Sequence, residues 1–261
     1  MMESVSRNQQ DPYWAHIAPF AVFMLIMAVP DLFTFIGQVP EAAMLDTDVN
    51  GANGSVWAHR QLWLYPLQTV VCLALLIFYR RCYPWNSTSG IGVGLLAGVL
   101  GIAVWILPSF LFQRFQIVFP LSEMFGLVDR SEGFNAVAAV SDQPLAAFWF
   151  WTTRLLRLIV VVPIMEEVFW RSFLMRFLAD SKTEFNDSPF GQHSTIALVV
   201  VTAMFAAAHQ PADYVGAIGF GLLAYWVTVK TKSLGAVIAM HAMANACLAA
   251  YAVTCGQWGF L

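Results

Sequence analysis

The chain has 261 residues, of which 59% are hydrophobic and 11% charged, and its net charge is −3. A soluble domain of this size carries about a quarter charged residues, so a single water-facing globule is excluded. The charge balance leaves no basic stripe, which argues against nucleic acid as a partner.

The apolar residues fall in blocks of about 20, the length that spans a bilayer. They predict an all-α fold: a polytopic transmembrane helical bundle of about seven to eight spans. The first span is expected at 17–36, ending in Pro30 and Asp31. A loop with Glu41, Asp46, Asp48 and the turn-rich "NGANGS" follows. The second span, 62–79, ends in "YRRCYPW", arginines and aromatics suited to a membrane surface. The third, 90–112, opens with Gly90, Gly94 and Gly98, four apart and so on one helix face, which allows close helix packing.

Residues 113–144 mix Arg114, Glu123, Asp129, Arg130, Glu132 and Asp142 with apolar residues and read as a surface or re-entrant segment. "QPLAAFWFWTTRLLRL" adds an aromatic cluster with Arg154 and Arg157, a mixture that suits the interface. The fourth span is expected at 158–178, with an eighth span possible if 144–178 holds two. The last three runs are 194–210, 213–229 and 234–255. The division expected is an N-terminal transmembrane region, 1–143, and a core, 144–261. Arg80 and Arg81, then Arg176 and Lys182, then Lys230 and Lys232 occupy alternate loops, which places these loops and the N-terminus in the cytoplasm. Cys72, Cys82, Cys247 and Cys255 show no CxxC spacing and read as buried free thiols.

Charge inside a span costs at least ~2.5–3.5 kcal/mol at the helix centre and survives when paired or facing water. "VPIMEEVFWRSFLMRF" puts Glu166, Glu167 and Arg171 in such a place. Glu167 and Arg171 are four apart and share a face. Glu166 is turned from Glu167 by about 100° and points elsewhere. One paired carboxylate and one left for other work is the expectation. Later, "MFAAAHQ" puts Phe205 and His209 on one face, and "MHAMANA" does the same for His241 and Asn245. Alone, each is an ordinary structural residue; His16, His59 and His193 are read that way. Together, a carboxylate, two imidazoles and an amide on three late spans form a set that hydrolysis could use.

EExxxR (Glu166, Glu167, Arg171), FxxxH (Phe205, His209) and HxxxN (His241, Asn245), in that order, resemble the CAAX-protease and bacteriocin-processing group of intramembrane proteases, also called the ABI family. The resemblance covers about 145–255 and implies hydrolysis of a peptide bond within the membrane. Its substrate would be a peptide or membrane protein, lipidated or not, met among membrane lipids. The chain has no G-x-S-x-G elbow, no HExxH and no recognisable Cys-His arrangement, so water is the economical nucleophile. Glu166 is the expected general base, with His209 helping to hold the water. His241 and Asn245 would stabilise the oxyanion, and Glu167 and Arg171 would orient the first carboxylate or the substrate. Glu166, His209 and His241 could instead be a three-ligand zinc site with one open position; Asn245 suits an oxyanion role better. A non-catalytic immunity or scaffold protein of the same fold, or a small proton-coupled transporter, are the competing readings.

Overall fold

The computed structural model describes residues 11–35, 60–85, 87–133, 144–180 and 182–261. Among these residues the fold is entirely helical, without a strand. Among them seven helices follow one another: α1 (Pro12–Phe35), α2 (Arg60–Phe78), α3 (Ile91–Phe115), α4 (144–179), α5 (Thr195–Ala207), α6 (Tyr214–Thr231) and α7 (Leu234–Cys255). Four stretches, Pro12–Pro30, Ile91–Phe115, Pro211–Thr231 and Leu234–Cys255, are long and apolar enough to cross a membrane. Leu62–Phe78 and Thr195–Ala207 are shorter apolar helices. The protein is an integral membrane protein.

Residues 144–179 form one continuous helix, not an interfacial piece plus a span and not two spans. Pro144 opens it, where a missing N–H costs nothing. Two wide π-helical stretches interrupt the α pattern, Arg157–Val161 and Val168–Leu174. They bracket the short α segment Val162–Glu167 that carries both acids.

Prolines inside these helices leave carbonyls without their usual donor, and in an apolar setting such a carbonyl needs another partner. Pro19 withholds an N–H from Ala15, and the Tyr83 hydroxyl donates to that Ala15 carbonyl at 3.0 Å. Pro163 does the same inside α4. There the backbone is in the wide register, with the Val162 N–H bonded to the Arg157 carbonyl five residues back. The next donor in that register would be Pro163, so the Leu158 carbonyl is left over. Asn245 of α7 donates to it through Nδ2 at 2.9 Å.

The glycine stripe of α3 sets the closest helix contact. A Cβ on Gly94 would run into the Ala236 carbonyl, and one on Gly98 into the Met240 carbonyl. α3 therefore lies directly on the backbone of α7, one residue short of His241. Gly90, expected on the same stripe, instead precedes the helix at φ +76°, a left-handed turn that opens it. Ser194 and Ser233 cap α5 and α7 by accepting from the backbone N–H groups of Ala197 and Ala236.

Two further expectations change, those for Arg176 and for the cysteines, while His16 keeps its structural reading. Arg176 is not a loop charge: it is 6% exposed in the last turn of α4, donating to the carbonyls of Ser172, Asn186 and Ser188. His16 is fully buried in α1, between the Pro12 carbonyl and the Ser172 hydroxyl, while His59 lies outside the described residues. The four cysteines are free, but only Cys72 is buried and Cys255 is exposed.

Candidate active site

Glu166, Phe205, His209, His241 and Asn245 line one cavity of about 200 Å³. That is far more room than one water needs. Ile102 and Trp105 of α3, Leu158 and Val162 of α4, Phe220 of α6 and Phe260 near the C-terminus complete much of its wall. The 100° offset between adjacent helical residues works out as expected. Glu166 faces the cavity, and its carboxylate takes no hydrogen bond from any described residue. Glu167 turns away into full burial.

Glu167 is shared, which its spacing to Arg171 did not reveal. Its Oε1 accepts from His241 Nδ1 at 2.7 Å, and its Oε2 lies 3.2 Å from Arg171 Nε. The Arg171 contact is an ion pair without hydrogen-bond alignment. The guanidinium lies over the Phe205 ring, 5.1 Å from its centroid, a contact that stabilises a desolvated cation. Arg171 therefore neutralises Glu167 and also braces the helix that leads to His209.

The two histidines are oriented by the same logic. A backbone carbonyl can only accept, so His209 donates Nδ1–H to the Phe205 carbonyl at 2.7 Å. In the neutral ring, Nε2 then carries the lone pair. His241 donates Nδ1–H to Glu167, which also leaves Nε2 as its working atom. Asn245 spends one amide hydrogen on Leu158, and no described residue takes the other.

By residue count His209 should fall near one end of its span and His241 near the other end of its own. Both nevertheless line the one cavity, and α5 ends at Ala207. His209 is not inside a helix: it sits in the turn beyond, ahead of the Pro211–Asp213 turn that leads into α6. Phe220 touches the His241 ring at 5.1 Å between centroids, and Trp105 meets the His209 ring at 5.3 Å.

Sequence reasoning missed Trp105, Asp213 and Phe260 as lining residues, and Arg130 behind them. Asp213 was counted within an apolar run. Its Oδ1 accepts from Trp105 Nε1 at 3.1 Å and from Arg130 at 2.7 Å. Among the described residues, no three His, Cys, Asp or Glu side chains stand together as a group able to hold a metal ion. Glu166, His209 and His241 share the cavity without forming such a cluster.

Fold and site thus define a helical membrane protein whose bundle holds a partly open, mostly apolar cavity that carries a few polar side chains. Residues 148–247 match a family model described as type II CAAX prenyl endopeptidase Rce1-like. The match bears out the resemblance read from the three motifs and covers all of them. It supports a CAAX-type intramembrane protease kind of function, with a peptide or protein substrate in the membrane. No curated protein and no solved structure matches the chain.

Proposed function

We propose that the chain is an intramembrane endopeptidase in which Glu166 activates water for attack on a peptide carbonyl. What supports this reading above all is one cavity lined by a carboxylate that takes no hydrogen bond from any described residue, two oriented imidazoles and an amide. Glu166 takes a proton from water, and the lone pair of His209 Nε2 holds that water in line. Water oxygen bonds to the carbonyl carbon, and the carbonyl oxygen becomes an oxyanion. His241, held at Nδ1 by Glu167, turns Nε2 toward this oxygen as a donor, and Asn245 offers its second amide hydrogen. Collapse breaks the C–N bond, and the proton taken up by Glu166 passes to the leaving nitrogen. Glu167 and Arg171 do not touch the reacting atoms in this scheme; they hold His241 and the Phe205 segment.

A positioned general base contributes about 10²–10⁴-fold, and an oxyanion donor about 10²–10³-fold. The side chains named here suffice for a rate enhancement of that order without a nucleophilic residue. The substrate in this reading is a membrane-anchored peptide, lipidated chains included, and the N-terminus of the protein lies in the cytoplasm. Glu166→Gln in the full chain, purified in nanodiscs and given a prenylated CAAX-type peptide, should fold normally and lose at least about 10²-fold in kcat. Cleavage by Glu166→Gln at the wild-type rate would overturn the assignment.

A further inference from the structure

We infer that Trp105, Asp213 and Arg130 are positioning residues for His209, fixing its ring at the cavity from outside the helix that precedes it. The inference rests on the hydrolase reading above, in which His209 works beside Glu166.

His209 lies just past the end of α5, where only the last turn of that helix holds it. Within its own segment it has three restraints: its N–H donates to the Ala206 carbonyl at 3.0 Å, Nδ1–H donates to the Phe205 carbonyl at 2.7 Å, and the Phe205 ring lies 4.7 Å away between centroids. A ring tethered at one nitrogen can still tip about that bond. The indole of Trp105 opposes this motion, its plane at 69° to the imidazole and the centroids 5.3 Å apart.

Trp105 is itself held in place. Gly216 leaves space for it, since a Cβ there would sit 2.8 Å from indole carbons. Its Nε1–H donates to Asp213, which belongs to the same connection between α5 and α6 as His209. The bond therefore ties α3 to the very segment whose histidine the indole supports.

Arg130 then locks the acceptor. It donates to the same Asp213 oxygen at 2.7 Å, to the Ala212 carbonyl at 2.7 Å and to the Gly259 carbonyl at 3.1 Å, and it lies over the Phe260 ring. Gly259 returns a backbone N–H to the Arg130 carbonyl at 2.8 Å. At 6% exposure the guanidinium is desolvated, a costly placement that geometry must offset with several acceptors. A cover for the cavity would need only apolar contacts. A buried, many-handed cation specifies one position for the turn. Trp105 and Arg130 both lie outside the stretch that matches the family model.

The test uses the full chain in nanodiscs with ¹⁵N-labelled histidine, the His209 signals being assigned by their loss in His209→Gln. Trp105→Phe keeps the ring and removes the N–H. Asp213→Asn and Arg130→Gln break the ion pair, and Arg130→Lys restores its charge. On a prenylated CAAX-type peptide, Asp213→Asn and Arg130→Gln should lower kcat about 10- to 100-fold, the scale on which misplacement of about 1 Å is felt, with KM unchanged and Arg130→Lys recovering part of the loss. In all three disrupting variants the His209 ring signals should move from a single Nδ1–H tautomer to a mixture, while those of His241 stay. Wild-type His209 signals and kcat in variants that merely melt earlier would overturn the proposal, as would a loss confined to KM. If Glu166→Gln still cleaves, the hydrolase reading fails, and the His209 signals alone then decide the positioning role.

Discussion

The two histidines of the cavity are held in opposite ways. His241 lies two turns inside α7, with its Nδ1 bonded to a fully buried carboxylate and its helix pressed against the glycines of α3. His209 stands in a turn, met by the Trp105 ring of α3, and the polar contacts of the loop before residue 133 and the C-terminal segment reach Asp213 and Arg130 beside it. Backbone hydrogen bonding and close packing make the first side rigid through many small terms. The second side has few terms, each directional, and local opening is cheapest where buried apolar contact is sparse. A cavity with one fixed wall and one fastened wall can keep its chemistry aligned and still be entered.

Three perturbations bear on this contrast, in descending order of effect. Glu167→Ala should be the most damaging, because it leaves Arg171 buried without a counter-charge; loss of one partner of such a pair costs about 3–5 kcal/mol. Thermal unfolding in detergent would register it, and an unchanged melting temperature would show that Glu167 matters less to the fixed wall than its contacts imply. Gly94→Ala forces a methyl onto the Ala236 carbonyl, and overpacking of this kind costs about 1–3 kcal/mol. Because α3 carries Trp105, the same variant should also disturb the Trp105–His209 contact, visible as a change in indole fluorescence on removal of His209. Gln113→Ala tests the fastened wall. It deletes a 2.6 Å amide–amide bond to Gln257 and should cost about 1 kcal/mol, read by hydrogen exchange of the C-terminal segment with little change in global melting.

The helical class and the polar set were legible because both follow from local rules. Block length marks a span, and the 100° step separates Glu166 from Glu167 with no knowledge of the rest of the molecule. The sharing of Glu167 with His241 was not legible, since 74 residues of chain separate the two. Nor was the end of α5: the apolar run continues through Ala207 and Ala208, and nothing in their side chains says that the helix stops before His209. Pro163 did offer a signal. A proline within a span promises an orphan carbonyl, and a search for its donor leads toward Asn245. Trp105 and Arg130 could not be found this way, because an apolar run and a mixed-charge loop contain many such residues and only tertiary packing selects among them.

The wide turns on either side of the two acids carry a final implication. Each houses a residue beyond the ordinary count, so the rungs above and below it are out of phase with an uninterrupted spiral. Dropping a single position from 157–161 would restore the plain spiral and swing everything on one side of the cut by about 100°. The acid would then turn from the cavity toward the packed interior, where its neighbours Met165 and Glu167 already lie fully buried, while every side chain kept its identity. What aims this carboxylate is thus partly a number, the spacing of the chain between two landmarks, and a scan of substitutions alone is blind to it.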